Sequence, residues 1–131
     1  EKAPAAMCRK ALTSADSVLV FGDGKQTRSF LYIDDCVDAV MRLIDSEFTE
    51  PVNIGSEEMV TINQLAEIAI QLSGRELEIK NDASATCTGV RGRCSDNSLI
   101  TAKTGWSPRF SLAEGLKNTC EWIRTELKKS E

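Results

Sequence analysis

The chain has 131 residues, 41% of them hydrophobic and 27% charged, with a formal net charge of −4. That length and apolar content suffice for one globular domain with a real core and exclude a disordered chain. The acidic balance gives no footprint for nucleic acid, and no apolar run approaches the roughly 20 residues that span a bilayer, so neither nucleic acid nor membrane is expected as a partner.

In chain order, residues 5–13 read as a helix with Pro4 near its start. Ser17–Phe21 (SVLVF) reads as a strand, followed by a turn at Gly22-Asp23-Gly24. Residues 28–33 form a second strand candidate. Asp34 or Asp35 then caps a helix whose Val37, Val40, Met41 and Ile44 make one apolar stripe. Residues 51–55 (PVNIG) read as a short buried strand. Thr61 and Gln64 have capping-box spacing ahead of Leu65, Ile68, Ala69 and Leu72, and Gly74 supplies the stop. A weak strand at 77–80 and a small-residue loop at 82–88 follow. A short helix over 95–103 is ended by Gly105. Ser111 and Glu114 open a last helix lined by Leu116, Cys120, Ile123 and Leu127.

Alternating strands and helices imply an α/β fold, yet the strands are too few and too short to complete a doubly wound sheet. No glycine cluster sits between a strand and a helix in the G-x-G-x-x-G manner, so no dinucleotide fingerprint is present. The chain has no histidine, which removes Ser–His and Cys–His catalysis. Its five cysteines, Cys8, Cys36, Cys87, Cys94 and Cys120, are odd in number and irregular in spacing. Reduced thiols, with neither a disulfide framework nor a zinc site, are the economical expectation. Trp106 and Trp122 read as core or packing residues.

Basic residues gather in three places: Lys2 with Arg9 and Lys10, Lys25 with Arg28, and Arg91 with Arg93 in a Gly-Val-Arg-Gly-Arg run. Arginine beside glycine suits an anion, because glycine allows close backbone approach and the guanidinium fork matches phosphate oxygens. The same residues also read as ordinary solvated surface charge, and residue type alone leaves both readings open.

Arg28-Ser29-Phe30-Leu31-Tyr32-Ile33-Asp34-Asp35, followed by a helix rich in Val, Ala and Met, resembles the extended short-chain dehydrogenase/reductase family. So do Pro51-Val52-Asn53-Ile54-Gly55, Gly105-Trp106-Ser107-Pro108 and Leu112-x-x-Gly115-Leu116, in the same order. Within that family the Glu1-Lys2-Ala3-Pro4, Gln26-Thr27-Arg28 and Gly89-Val90-Arg91-Gly92-Arg93 segments are most similar to epimerases of GDP-mannose.

The resemblance implies a C-terminal substrate-binding portion over residues 1–131 with an incomplete Rossmann sheet. The NAD-binding half, its Tyr-x-x-x-Lys pair and a partner cysteine are not in this sequence. It implies that Lys2 is an acid/base residue in epimerisation, where a proton leaves one face of a sugar carbon and another returns to the opposite face. Glu1, Ala3, Lys10, Gln26, Thr27 and Arg28 are implied to contact the nucleotide sugar, and Arg93, with Arg91 as a second candidate, to clamp its diphosphate. NAD as cofactor, GDP-mannose as substrate, a homodimer and a cytoplasmic location complete what it implies. Alone, the chain is expected to lack turnover. A free-standing binding or self-associating module is the alternative.

Overall fold

The computed structural model describes residues 2–84 and 90–129. Its elements are α1 (Ala3–Thr13), β1 (Ser17–Phe21), β2 (Thr27–Ser29), α2 (Ile33–Ile44), β3 (Met59–Thr61), α3 (Ile62–Ser73), β4 (Glu78–Asp82), β5 (Gly92–Arg93), α4 (Ser98–Thr104) and α5 (Leu112–Lys129). The expected α/β class with a partial sheet is what the chain forms.

β1 alternates strictly, with Val18 and Val20 buried and Leu19 and Phe21 facing out. It pairs in parallel with β4, Ser17 opposite Glu78 through Phe21 opposite Asp82. Helices α1 and α3 pack over its inner face, and α5 packs against both of them. Met7, Cys8, Ala11, Leu65, Ala66, Ala69, Leu116 and Ile123 fill the space between them. Leu65 is fully buried, and burial of such a side chain contributes about 1.5–3 kcal/mol. Arginines close the helix ends: Arg75 donates to the carbonyls of Leu12 (3.1 Å) and Ala15 (3.3 Å), and Arg124 donates to Leu72 (3.1 Å).

Cys8 and Cys120 form a disulfide between α1 and α5, with Cα atoms 5.2 Å apart across 112 residues of sequence. This corrects the expectation of reduced cysteines. Gap patterns along the chain carry no information about two helices that meet only in the folded core. Cys36 and Cys94 are free thiols, and Cys87 lies outside the described residues.

A second, three-stranded sheet has the order β3-β2-β5. Beside it Trp106, Ile100 and Ala39 form a smaller core with Leu31, Leu43, Val52 and Ile54 around it. Here the sequence expectations need correction. Residues 51–55 have no strand pairing among the described residues. The strand expected over 28–33 ends at Ser29, and α2 begins at Ile33.

Neither Asp34 nor Asp35 caps α2, whose N-cap is Tyr32. Asp35 is fully buried and instead accepts the backbone N–H groups of Arg109 and Phe110, both at 3.0 Å. The stripe Val37, Val40, Met41 and Ile44 is exposed rather than buried, as is Trp122. Among the described residues, no helix is long and apolar enough to cross a membrane.

Candidate functional site

Two cavities share a wall at Leu31. The first, of about 330 Å³, lies at the three-stranded sheet and is lined in part by Arg28, Ser29, Asn53, Ser56, Arg93 and Cys94. β2 and β5 run parallel with Arg28 directly opposite Arg93. Registered partners on adjacent strands project from the same face of a sheet, so the pairing aims both side chains into one cavity. The register depends on a close approach: a Cβ on Gly92 would stand 2.9 Å from Thr27 Oγ1. Thr27 N–H donates to the Arg91 carbonyl at 2.8 Å, tying the strands together.

Arg28 donates from Nη1 to its neighbour's carbonyl, Thr27 O, at 2.7 Å, which fixes the guanidinium. Neither Arg28 nor Arg93 is paired with a carboxylate among the described residues. Arg91 differs. Its guanidinium stands 3.5 Å from the Asp23 carboxylate and is not part of the cavity lining. Two guanidinium forks beside hydroxyl and amide groups have the donor chemistry that suits an anion with several oxygens.

Neighbouring loops bring in residues that sequence reading missed. Asn97 is buried; it donates from Nδ2 to the Gly55 carbonyl at 2.9 Å and accepts from Ser95 Oγ at 2.8 Å. Its N–H donates to Glu57 Oε1 at 3.2 Å. This clasp holds the loop whose Asn53 and Ser56 line the same cavity as the arginines. Gly55 is required because a Cβ there would stand 2.5 Å from Ser95 Cβ. A contact across some forty residues leaves no mark in local spacing, so no sequence signal pointed to it.

The second cavity, of about 340 Å³, is walled by Lys2, Pro4 and Ala5 on one side and by Leu112, Gly115, Leu116 and Thr119 on the other. Phe30, Tyr32 and Ser111 complete most of the rest. Lys2 is the N-cap residue of α1, and its side chain is exposed at this cavity. Tyr32 is held by an edge-on contact with Phe110 at 4.9 Å and by Gly115, where a Cβ would stand 2.9 Å from the Tyr32 side chain. A cation at the edge of a mostly apolar cavity suits a ligand with a polar group to be protonated or deprotonated and little other charge.

The remaining sequence candidates fall elsewhere. Lys10 donates to the Leu19 carbonyl at 2.6 Å and sits 4.9 Å over the Phe21 ring, apart from both cavity linings. Ala3 packs against the main core. Gln26 accepts the Ile62 N–H at 3.2 Å through its carbonyl, and Thr27 lies inside β2, so both support the sheet that carries Arg28. Glu1 and Gly89 lie outside the described residues.

Among the described residues no cluster of His, Cys, Asp and Glu has the arrangement of a metal site. A dinucleotide cradle does not fit them either. Gly22 and Gly24 lead into β2, not a helix, and the described helices start at Lys2, Tyr32, Thr61 and Asn97 or follow Ser111, none of them a glycine turn.

Residues 1–119 match the family model described as GDP-mannose 4,6 dehydratase. The chain belongs to that family. It is 54% identical over 129 residues to GDP-mannose 3,5-epimerase 1 of Oryza sativa subsp. indica, covering 98% of this chain and 34% of the relative. The chain therefore spans about one third of the length of the curated relatives it matches. The fold is similar to that of UDP-glucose 4-epimerase from Thermotoga maritima, at TM-score 0.84 and 31% identity over 96% of this chain and 40% of that one. It is also similar to UDP-glucuronic acid 4-epimerase from Bacillus cereus, solved with UDP-glucuronic acid and NAD. There the TM-score is 0.85 at 26% identity, covering 96% of this chain and 40% of that one. The chain is thus a nucleotide-sugar epimerase-family protein with the fold of short-chain dehydrogenase/reductase epimerases.

Proposed function

We propose that this chain is the substrate-binding part of an NAD-dependent epimerase of GDP-mannose. The observation that carries the proposal is the register of Arg28 and Arg93 on one cavity, with Lys2 at the neighbouring one. In this reading the two guanidiniums hold the diphosphate. Charge-assisted, two-pronged hydrogen bonds fix it in position and orientation, and that binding presents the sugar to Lys2. Lys2 then supplies one half of the proton exchange that inverts a sugar carbon. The opposite half and the redox chemistry that NAD supplies belong to residues other than those described. The whole-chain relative, named a GDP-mannose 3,5-epimerase, supports the choice of nucleotide sugar. A cytoplasmic location and the absence of catalysis by this chain alone are part of the same proposal.

Calorimetric titration with GDP-mannose tests it. Hydrogen bonds to charged groups contribute about 1.5–3 kcal/mol. Solvent screening at the exposed Arg93 favours the lower end, so Arg93→Ala is expected to weaken binding about tenfold. Unchanged affinity would remove the diphosphate assignment.

Self-association is the second reading, supported by the exposed row Ile33, Val37, Val40, Met41 and Ile44 on α2. A homodimer burying that row would show a concentration-dependent mass in light scattering. A monomer at high concentration would count against it.

A further inference from the structure

We infer that Cys8 and Cys120 are a redox-responsive pair that sets how firmly the two walls of the Lys2 cavity are held together. The ligand readout of this inference rests on the proposed function; its structural readout does not.

The bond joins the two helices that wall the Lys2 cavity. Lys2, Pro4 and Ala5 wall the cavity from the start of α1, and Cys8 lies one turn beyond Ala5 on that helix. Leu116 and Thr119 wall it from α5, and Cys120 lies one turn beyond Leu116. The disulfide therefore crosses between the helices immediately behind the cavity, where it restrains their separation without entering the lined space. Ala11 is the next buried residue of α1 beyond the bond and Ile123 the next of α5. The helix contact thus continues on the far side, and on the near side, towards Lys2, the core contacts of Met7, Leu112 and Leu116 border the cavity.

Reduction removes the single covalent restraint next to that opening. Two small buried thiols then remain in contact, so the fold survives while the cavity walls gain freedom. In a reducing compartment a bond of this kind is transient and sensing rather than permanent. The exchange balances with a disulfide oxidant such as oxidised glutathione. Cys8 and Cys120 give up two electrons and two protons to form one S–S bond, and the oxidant's S–S bond breaks to give two thiols. Cys8 is fully buried and Cys120 nearly so. Exchange must therefore wait for local opening of α1 from α5, which makes the response slow relative to ligand binding.

The test compares the chain after treatment with oxidised glutathione and after reduction with dithiothreitol. Alkylation under denaturing conditions, followed by peptide mapping, is expected to label Cys36 and Cys94 in both samples, and Cys8 and Cys120 only in the reduced one. Hydrogen–deuterium exchange in peptides covering residues 3–8 and 112–120 is expected to be faster in the reduced sample, with α4 unchanged as internal control. Affinity for GDP-mannose is expected to fall by about fivefold or more on reduction, the lower bound of ordinary coupling between sites. Cys120→Ser should give the reduced values under both treatments. If that variant does not fold, the two states of the unaltered chain decide alone.

Labelling of Cys8 and Cys120 in the oxidised sample overturns the inference, as does exchange that is the same in both samples, or equal affinity with measurable binding. If exchange responds to the redox state and neither form binds GDP-mannose, the proposed function fails and the redox pair stands.

Discussion

Replacing Asp35 probes the one fully buried carboxylate in the described chain. Its Oδ2 accepts two backbone N–H groups, from Arg109 and Phe110, each at 3.0 Å, and Oδ1 stands 3.4 Å from Arg109 Nε. Asp35→Ala leaves both amides without their acceptor. Each lost partner of a buried donor costs about 1–3 kcal/mol. The Arg109 side chain is largely exposed, so its guanidinium adds little. The expected loss is therefore about 2–3 kcal/mol, a large share of the roughly 5–15 kcal/mol that stabilises a domain. Asp35→Asn keeps an oxygen where Oδ2 sits, so it retains both amide bonds and turns only its NH₂ towards the exposed Arg109 side chain. It should cost about 1 kcal/mol or less. Urea unfolding at unchanged slope reads both values. Equal losses for Ala and Asn, or a loss for Ala within about 0.5 kcal/mol of zero, the range of an ordinary surface substitution, would refute the view that the amide pair anchors this loop.

Trp106 is fully buried, and its Nε1 has no hydrogen-bond partner among the described residues. Trp106→Phe removes that unpaired donor along with some packing, so it should lie within about 1 kcal/mol of the parent, whereas Trp106→Ala should cost about 3–5 kcal/mol. A Phe variant as damaged as Ala in urea unfolding would mean that the indole N–H is satisfied. Glu114 accepts from Ser111 Oγ at 2.7 Å and from Ser111 N–H at 2.9 Å, and these bonds hold its carboxyl below the ordinary value of 4.5. A lowered carboxyl stabilises the fold fully above its ordinary value and loses that contribution as pH falls through the folded value. Ser111→Ala should raise the Glu114 titration midpoint towards 4.5 in carboxylate NMR and flatten the acid-side loss; an unmoved midpoint would contradict the assigned cause.

What was legible in the sequence was local. The Thr61–Gln64 capping box forms as spaced, with Gln64 N–H donating to Thr61 Oγ1 at 3.1 Å and Thr61 N–H to Gln64 Oε1 at 2.8 Å. Gly74 and Gly105 end their helices at φ of 72° and 69°. β1 falls where its β-branched run predicts. These features depend on residues within one turn or one strand.

The errors share the opposite property. The apolar row on α2 has the spacing of a core-facing helix, yet nothing within the described chain covers it. Residues 51–55 have strand composition and no strand beside them. Periodicity reports that a face is apolar, not what lies against it. Asp35 satisfies the helix-start pattern, but its carboxylate is drawn to amides more than seventy positions away. β3, β5 and the Cys8–Cys120 bond likewise exist only through long-range pairing.

The candidate site divides along the same line. Residue type and resemblance singled out Lys2, Arg28 and Arg93, but the register that sets the two arginines side by side comes from the fold. In the proposed function, charge makes such a clamp necessary. A chain with net charge −4 repels a diphosphate at long range, and salt screens this repulsion beyond about 8 Å. Inside that distance the local arrangement decides, and in the proposed function Arg28 and Arg93, with no carboxylate paired to them among the described residues, outweigh a diffuse negative surface. Arg91 stands 3.5 Å from Asp23 and is not part of that cavity lining. Leu31 then gives the two cavities their order: a ligand held by its diphosphate at the arginines has the wall of the Lys2 cavity as its next neighbour. Under the proposed function, binding strength belongs to the arginine end and proton exchange to the lysine end. Loss of either should therefore affect different measured quantities, affinity in the first case and turnover of the whole enzyme in the second.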